Sequence, residues 1–242
     1  MSRLLAIDAG NTRIKWGLHD GEWRATGAVA TADASSLAAM LAVHGPIERA
    51  IASNVAGPAV ERELDSATRQ LGAMLRVVHA TAEEGGVVNR YRDPSQLGPD
   101  RWAALIAARA SGPGPKVVAT AGTALTVDAL SAAGEFLGGL IVPGPALMRR
   151  ALQSGTARLR EVDGADSDFP ASTPDAITSG AIQACAGAIA GVVERLERRE
   201  GARPEVLLSG GAAREIAPRL EMPHTLRENL VLDGLVRLEG GG

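Results

Sequence analysis

The stretch Leu4-Leu5-Ala6-Ile7-Asp8-Ala9-Gly10-Asn11-Thr12-Arg13-Ile14-Lys15 joins an apolar run to an acidic residue and then to a glycine turn. Residues 4–7 are too few and too apolar for an amphipathic helix, and they read as a buried strand ending at Asp8. A carboxylate at a strand end can hold Mg²⁺, directly or through water. Gly10 lets the backbone approach a phosphate, Asn11 and Thr12 offer amide and hydroxyl donors, and Lys15 adds positive charge. Residues 13–18 alternate as a second strand, and Asp20-Gly21 signals a hairpin into a third over residues 22–29. The motif therefore lies on a hairpin. A Walker loop or a Rossmann fingerprint needs a glycine loop that opens a helix, and neither pattern occurs in the chain. By itself the segment also reads as an ordinary Asp-Ala-Gly-Asn turn.

The chain repeats the device, with Asp8-Ala9-Gly10-Asn11-Thr12 matched by Thr120-Ala121-Gly122-Thr123-Ala124, each after an apolar strand. The second copy runs through residues 116–119, the turn, residues 125–130, Gly134 and a third strand over 136–142. Such a repeat implies two related halves. Strand, glycine turn, strand, turn, strand, occurring twice, resembles the actin, sugar-kinase and heat-shock-chaperone superfamily. The expected fold class is accordingly α/β, with duplicated ribonuclease-H-like (actin-like ATPase) domains, each a mixed sheet flanked by helices, closing on ATP.

A chain of 242 residues with 45% hydrophobic content suffices for two modest cores. The segment Ser111-Gly112-Pro113-Gly114-Pro115 resists both helix and sheet, so the domains are expected at residues 1–112 and 116–242. Helices are expected over 36–43, 59–71, 174–200 and 226–238, with strands over 49–53, 75–79 and 205–208, and only the closing glycines read as disordered. A net charge of −3 and no basic cluster with interleaved aromatics argue against a nucleic-acid partner. The single cysteine, Cys185, excludes an internal disulfide and a cysteine metal site, and its Ala-rich apolar surroundings read as core. No basic region precedes an apolar span near the N-terminus, and no stretch reads as roughly twenty apolar residues. The expectation is a soluble, cytoplasmic protein with no membrane partner.

A second candidate site is Tyr91-Arg92-Asp93-Pro94-Ser95-Gln96-Leu97-Gly98-Pro99-Asp100-Arg101-Trp102, a polar loop entering a helix. Pro99 suits the first helical position, and Trp102, Leu105, Ile106 and Arg109 follow at helical spacing. Asp100 in the first turn could accept a proton, or could simply complement the helix dipole while Arg101 makes a surface ion pair.

Taken in order, Asp8-x-Gly10-Asn11-Thr12 with Lys15, Gly98-x-Asp100-Arg101 after Tyr91 and Pro94, and Gly122-Thr123-Ala124 with Thr126 and Asp128 resemble the type III pantothenate kinases. Gly138-Gly139-x-Ile141-x-Pro143-Gly144, Thr173 with Ala176-Ile177 and Gly180, Ser209-Gly210-Gly211, and Asn229-Leu230-Val231-Leu232-x-Gly234-Leu235 extend the match to nearly the whole chain. The resemblance implies phosphoryl transfer from ATP to the 4′-hydroxyl of pantothenate, the first step of coenzyme A synthesis. It implies that Asp8, Ala9, Gly10, Asn11, Thr12, Arg13, Ile14 and Lys15 hold the ATP phosphates, with Asp8 on Mg²⁺. Thr123 would bind the phosphates as well, and Gly210 and Gly211 would admit the adenosine. Asp100 would be the general base, with Tyr91, Gly98, Pro99, Asp100, Arg101 and Thr173 contacting pantothenate. A homodimer is implied too. Many members carry an acid at the position of Thr120 that helps bind a monovalent cation, K⁺ or NH₄⁺, so weak or absent cation dependence is expected here. A sugar or small-acid kinase of the same superfamily, and a nucleotide-binding regulatory relative without turnover, are the alternatives.

Overall fold

The apolar runs between glycine turns form strands, and the same strand order is built twice. A computed structural model describes residues 3–155 and 164–240. Of the closing glycines expected to be disordered, Gly240 instead ends the last helix, and 241 and 242 lie outside the described residues. The chain divides into two units, Met1–Ser111 with Leu230–Gly242, and Gly112–Asn229.

In the first unit, β1 (Leu4–Ala9), β2 (Arg13–His19) and β3 (Trp23–Ala30) form an antiparallel meander, and β4 (Arg49–Asn54) and β5 (Met74–Val77) continue parallel from β1. The order is β3-β2-β1-β4-β5. Every residue of β1 is buried except Asp8, so the strand is core up to the point where it presents its carboxylate. Two helices, α1 (Leu37–Leu41) and α2 (Pro58–Gln70), belong to this unit, and α2 turns Leu64, Ala67 and Thr68 inward. A short hairpin, β6 (Glu83–Glu84) and β7 (Val87–Asn89), turns through Gly85 and Gly86, both at positive φ. It leads by a loop to α3 (Pro99–Ala110), whose residues 101–108 are all buried.

The second unit contains β8 (Lys116–Ala121), β9 (Ala124–Leu130) and β10 (Glu135–Pro143) as an antiparallel meander, with β11 (Glu205–Ser209) and β12 (His224–Leu226) continuing parallel from β8. These strands run β10-β9-β8-β11-β12, the topology of the first unit again. The helices are α4 (Pro145–Gly155), α5 (Thr173–Glu200) and the short α6 (Ala213–Ile216). Contrary to the expectation from sequence, α5 is long and apolar enough to cross a membrane by length and composition, because its Ile and Val residues together with many Ala raise the mean hydropathy. Its Cys185, Ile189, Val192, Val193 and Leu196 pack into the core of this unit.

The final helix, α7 (Leu230–Gly240), corrects the expected limit of the second domain, because it packs with the first unit. A Cβ on Gly234 would lie 1.9 Å from the carbonyl oxygen of Ala103, so α7 approaches α3 backbone to backbone. Trp23 Nε1 donates to Asp233 Oδ1 at 2.9 Å, and Arg76 Nη1 donates to the Leu238 carbonyl at 2.8 Å.

Candidate active site

Strand register assembles an acidic centre in the first unit. Asp8 faces Lys15 across the antiparallel β1–β2 pair and Ser53 across the parallel β1–β4 pair. Ser53, fully buried, donates from Oγ to Asp8 Oδ1 at 2.8 Å. Burial pushes the Asp8 carboxyl up to about 6; the Ser53 hydrogen bond opposes this, the charge of Asp100 adds to it, and Lys15 opposes it. Among the described residues no group of three or more His, Cys, Asp or Glu could cage a metal. A divalent ion at Asp8 would therefore complete its shell with phosphate and water oxygens, the usual mode for Mg²⁺ at nucleotide sites. The desolvated, hydroxyl-bonded carboxylate at a strand end fits that role.

The turn after Asp8 is fixed by its own backbone. Gly10 N donates to the Arg13 carbonyl at 3.1 Å, and Thr31 Oγ1 donates to the Gly10 carbonyl at 2.7 Å. Asn11, Thr12 and Arg13 are exposed. Ala9 and Ile14, expected among the phosphate-binding residues, are both fully buried in the core cluster, so their side chains belong to packing and only their backbone is left for a ligand.

Asp100 stands in the first turn of α3, after Pro99 at its start. A Cβ on Gly98 would lie 2.6 Å from Asp100 Oδ1, so the carboxylate folds back into space that only glycine leaves open. The loop before it is pinned by buried Asn89, whose Nδ2 donates to the Pro94 carbonyl at 3.1 Å and whose Oδ1 accepts from Tyr91 N at 3.1 Å. Arg101 is no surface ion pair: it is 6% exposed, donates from Nη1 to the Tyr91 hydroxyl at 3.2 Å and lies 5.8 Å from the centre of the Tyr91 ring. Tyr91 and Arg101, named separately from sequence, thus form one unit beside Asp100.

In the second unit the glycine turn is built from backbone. Gly122 N donates to the Ala124 carbonyl at 2.8 Å, and Gly144 N donates to the Thr123 carbonyl at 2.9 Å. A Cβ on Gly144 would lie 2.2 Å from the Gly122 carbonyl oxygen, and one on Gly210, which has φ +96°, would lie 2.2 Å from that of Ala121. Three glycine segments therefore meet without side chains between them, while Thr123 and Gly211 stay exposed. Thr173 is exposed at the start of α5, where Ser172 caps the helix by accepting from Asp175 N at 3.2 Å. Cys185 is buried and its thiol is pushed up to about 11 by desolvation and then by the charge of Glu215, an inert core thiol as expected.

Sequence reasoning did not single out Ser53. Its one signal is a hydroxyl at the end of the apolar run Ala50-Ile51-Ala52, and its partner is visible only in the parallel register.

The family model for type III pantothenate kinase matches residues 4–195. A type III pantothenate kinase from Aromatoleum aromaticum is 47% identical over 233 residues, covering 96% of each chain. Among solved structures, the ethanolamine utilization protein EutJ from Carboxydothermus hydrogenoformans aligns with a TM-score of 0.59 at 13% identity, over 100% of this chain and 90% of that one. An inorganic polyphosphate/ATP-glucomannokinase from Arthrobacter aligns with a TM-score of 0.51 at 17% identity over 100% of both. At those identities the two structures speak for the fold alone, which is that of the actin-like ATPases. With the family model spanning most of the chain and relatives above 40% identity, this chain belongs to the type III pantothenate kinases.

Proposed function

We propose that this chain transfers the γ-phosphoryl group of ATP to the 4′-hydroxyl of pantothenate, giving 4′-phosphopantothenate in the first step of coenzyme A biosynthesis. Family membership supports the substrate. The observation that carries the chemistry is a pair of carboxylates in one unit with different surroundings: Asp8 desolvated at a strand end, and Asp100 at a helix start beside Tyr91 and Arg101. Asp8, with the ATP phosphates, would hold Mg²⁺, which would supply neutralisation of charge on the transferring group. Lys15 and the donors of Asn11, Thr12 and Arg13 bind phosphate oxygens, and Gly10 lets the backbone approach them. Thr123 binds phosphate from the second glycine turn, and Gly210 and Gly211 admit the adenosine.

Asp100 orients the pantothenate hydroxyl and takes its proton late in a loose transition state, where positioning and charge neutralisation dominate. Tyr91, Gly98, Pro99, Arg101 and Thr173 contact pantothenate. The enzyme works in the cytoplasm as a homodimer, without nucleic-acid or membrane partners, and with little need for K⁺ or NH₄⁺ because Thr120 contributes no charge. An ADP-release assay with Mg-ATP and pantothenate, run on wild type and Asp100→Asn with sugars as control acceptors, tests this. Pantothenate-dependent turnover lost in the variant supports both substrate and base; turnover with a sugar alone overturns the substrate, and bound ATP without turnover overturns the enzyme reading.

A further inference from the structure

We infer that Ser53 is a positioning residue for phosphoryl transfer, acting through Asp8: its hydroxyl fixes the carboxylate plane so that Oδ2 is the oxygen presented to the divalent cation. The inference rests on the reading of Asp8 as the cation-holding residue.

The geometry starts from the parallel register, in which Asp8 of β1 sits beside Ser53 of β4. Neighbouring strands lie roughly 4.8 Å apart with register partners on one face, which is the reach a short serine needs to touch an aspartate. Ser53 is fully buried and its Oγ donates to Asp8 Oδ1 at 2.8 Å. A buried hydroxyl must have an acceptor, and this one uses a carboxylate oxygen rather than a backbone carbonyl. The carboxylate torsion of aspartate is otherwise broad, so a single strong donor on one oxygen sets its plane. Among the described residues no donor engages Oδ2, so the bond to Ser53 divides the two oxygens between a structural and a ligand role. Partners that orient a metal-holding carboxylate typically change affinity or activity by about 10–100-fold when removed.

The test is calorimetric binding of a non-hydrolysable ATP analogue, with Mg²⁺ and then with chelator, to wild type, Ser53→Ala, Ser53→Thr and Asp8→Asn. Thermal melting of each variant checks the fold. Ser53→Ala is expected to lose about tenfold in the affinity gained on adding Mg²⁺ while binding in chelator changes less than about twofold, and to need about tenfold more Mg²⁺ for half-maximal turnover at an unchanged KM for pantothenate. Ser53→Thr, which keeps the hydroxyl, is expected to restore most of the gain. If Asp8→Asn abolishes the Mg²⁺-dependent gain and Ser53→Ala keeps it, the positioning role is overturned. If both variants keep it, the assignment of Asp8 itself fails.

Discussion

The β1–β2 turn of the first unit and the β8–β9 turn of the second are two versions of one device, and they differ mainly in charge. Both strands are buried except at their fifth residue, Asp8 in one and Thr120 in the other. Both of those residues have a serine beside them in the parallel neighbour, Ser53 and Ser209. In both units the carbonyl of the last strand residue before the turn is used alike: Ala9 O accepts from Val55 N, and Ala121 O from Ala212 N, each at 3.0 Å. Across the antiparallel pair, however, Asp8 meets Lys15 while Thr120 meets Thr126. One backbone has thus been given a charged centre and a neutral one. Under the proposed function the backbone would supply the approach to phosphate in both, and the side chain at one position would decide which copy holds a cation.

The largest expected break in that parallel is in catalysis. Asp8→Asn should lower kcat by about 10³-fold, the scale of removing one charge-stabilising group, whereas Thr120→Val should cost less than about tenfold; both are read by ADP release at saturating Mg-ATP. Equal losses would mean that the neutral copy does cation chemistry after all.

Next comes backbone strain. Gly210→Ala forces a Cβ onto a positive φ and against the Ala121 carbonyl, and should lower stability by roughly 3 kcal/mol, seen as a fall in melting temperature. Gly211→Ala, with open space at its Cβ, should melt within a degree or two of wild type.

A pH effect follows from the Asp8 carboxyl, held at about 6 against an ordinary 3.8. The folded state keeps a proton that the unfolded state has released, so stability falls as pH rises between 3.8 and 6. The penalty, up to about 3 kcal/mol, is absent below that window and full above it. Ligand-free Asp8→Asn should therefore melt higher than wild type at pH 7.5, with the gain vanishing near pH 3.5. Thr120→Val should show no such pH-dependent difference.

The smallest effect expected is on monovalent ions. Replacing Na⁺ by K⁺ should change turnover less than about twofold in wild type, and Thr120→Asp should enlarge the response by supplying the missing charge.

Much of this was legible in the chain. The meander β1–β3, the repeat at β8–β10 and the Pro99 start of α3 follow from apolar runs, glycine turns and a helix-start proline, all local signals. The pairing of Asp8 with Ser53 was not, because parallel register is set by residues 45 positions apart with no turn between them to fix it. Nor was the membership of α7: an amphipathic face states that a helix must pack, but Gly234 against the backbone of Ala103 decides against what. The short strands β6, β7 and β12 carry too few residues to show a period. Arg101 read as a surface charge because its guanidinium partner, the Tyr91 hydroxyl, is ten residues away across a loop.

The return of α7 to the first unit has a consequence for synthesis. The Met1–Ser111 segment leaves the ribosome first, yet the helix that covers α3 is encoded after the whole of Gly112–Asn229. At ordinary translation rates that delay is on the order of ten seconds. During it the apolar surface that later receives Leu230, Leu235 and Leu238 is open to water and to other chains, so the first half of the protein should be the client of chaperones while the second half is being made.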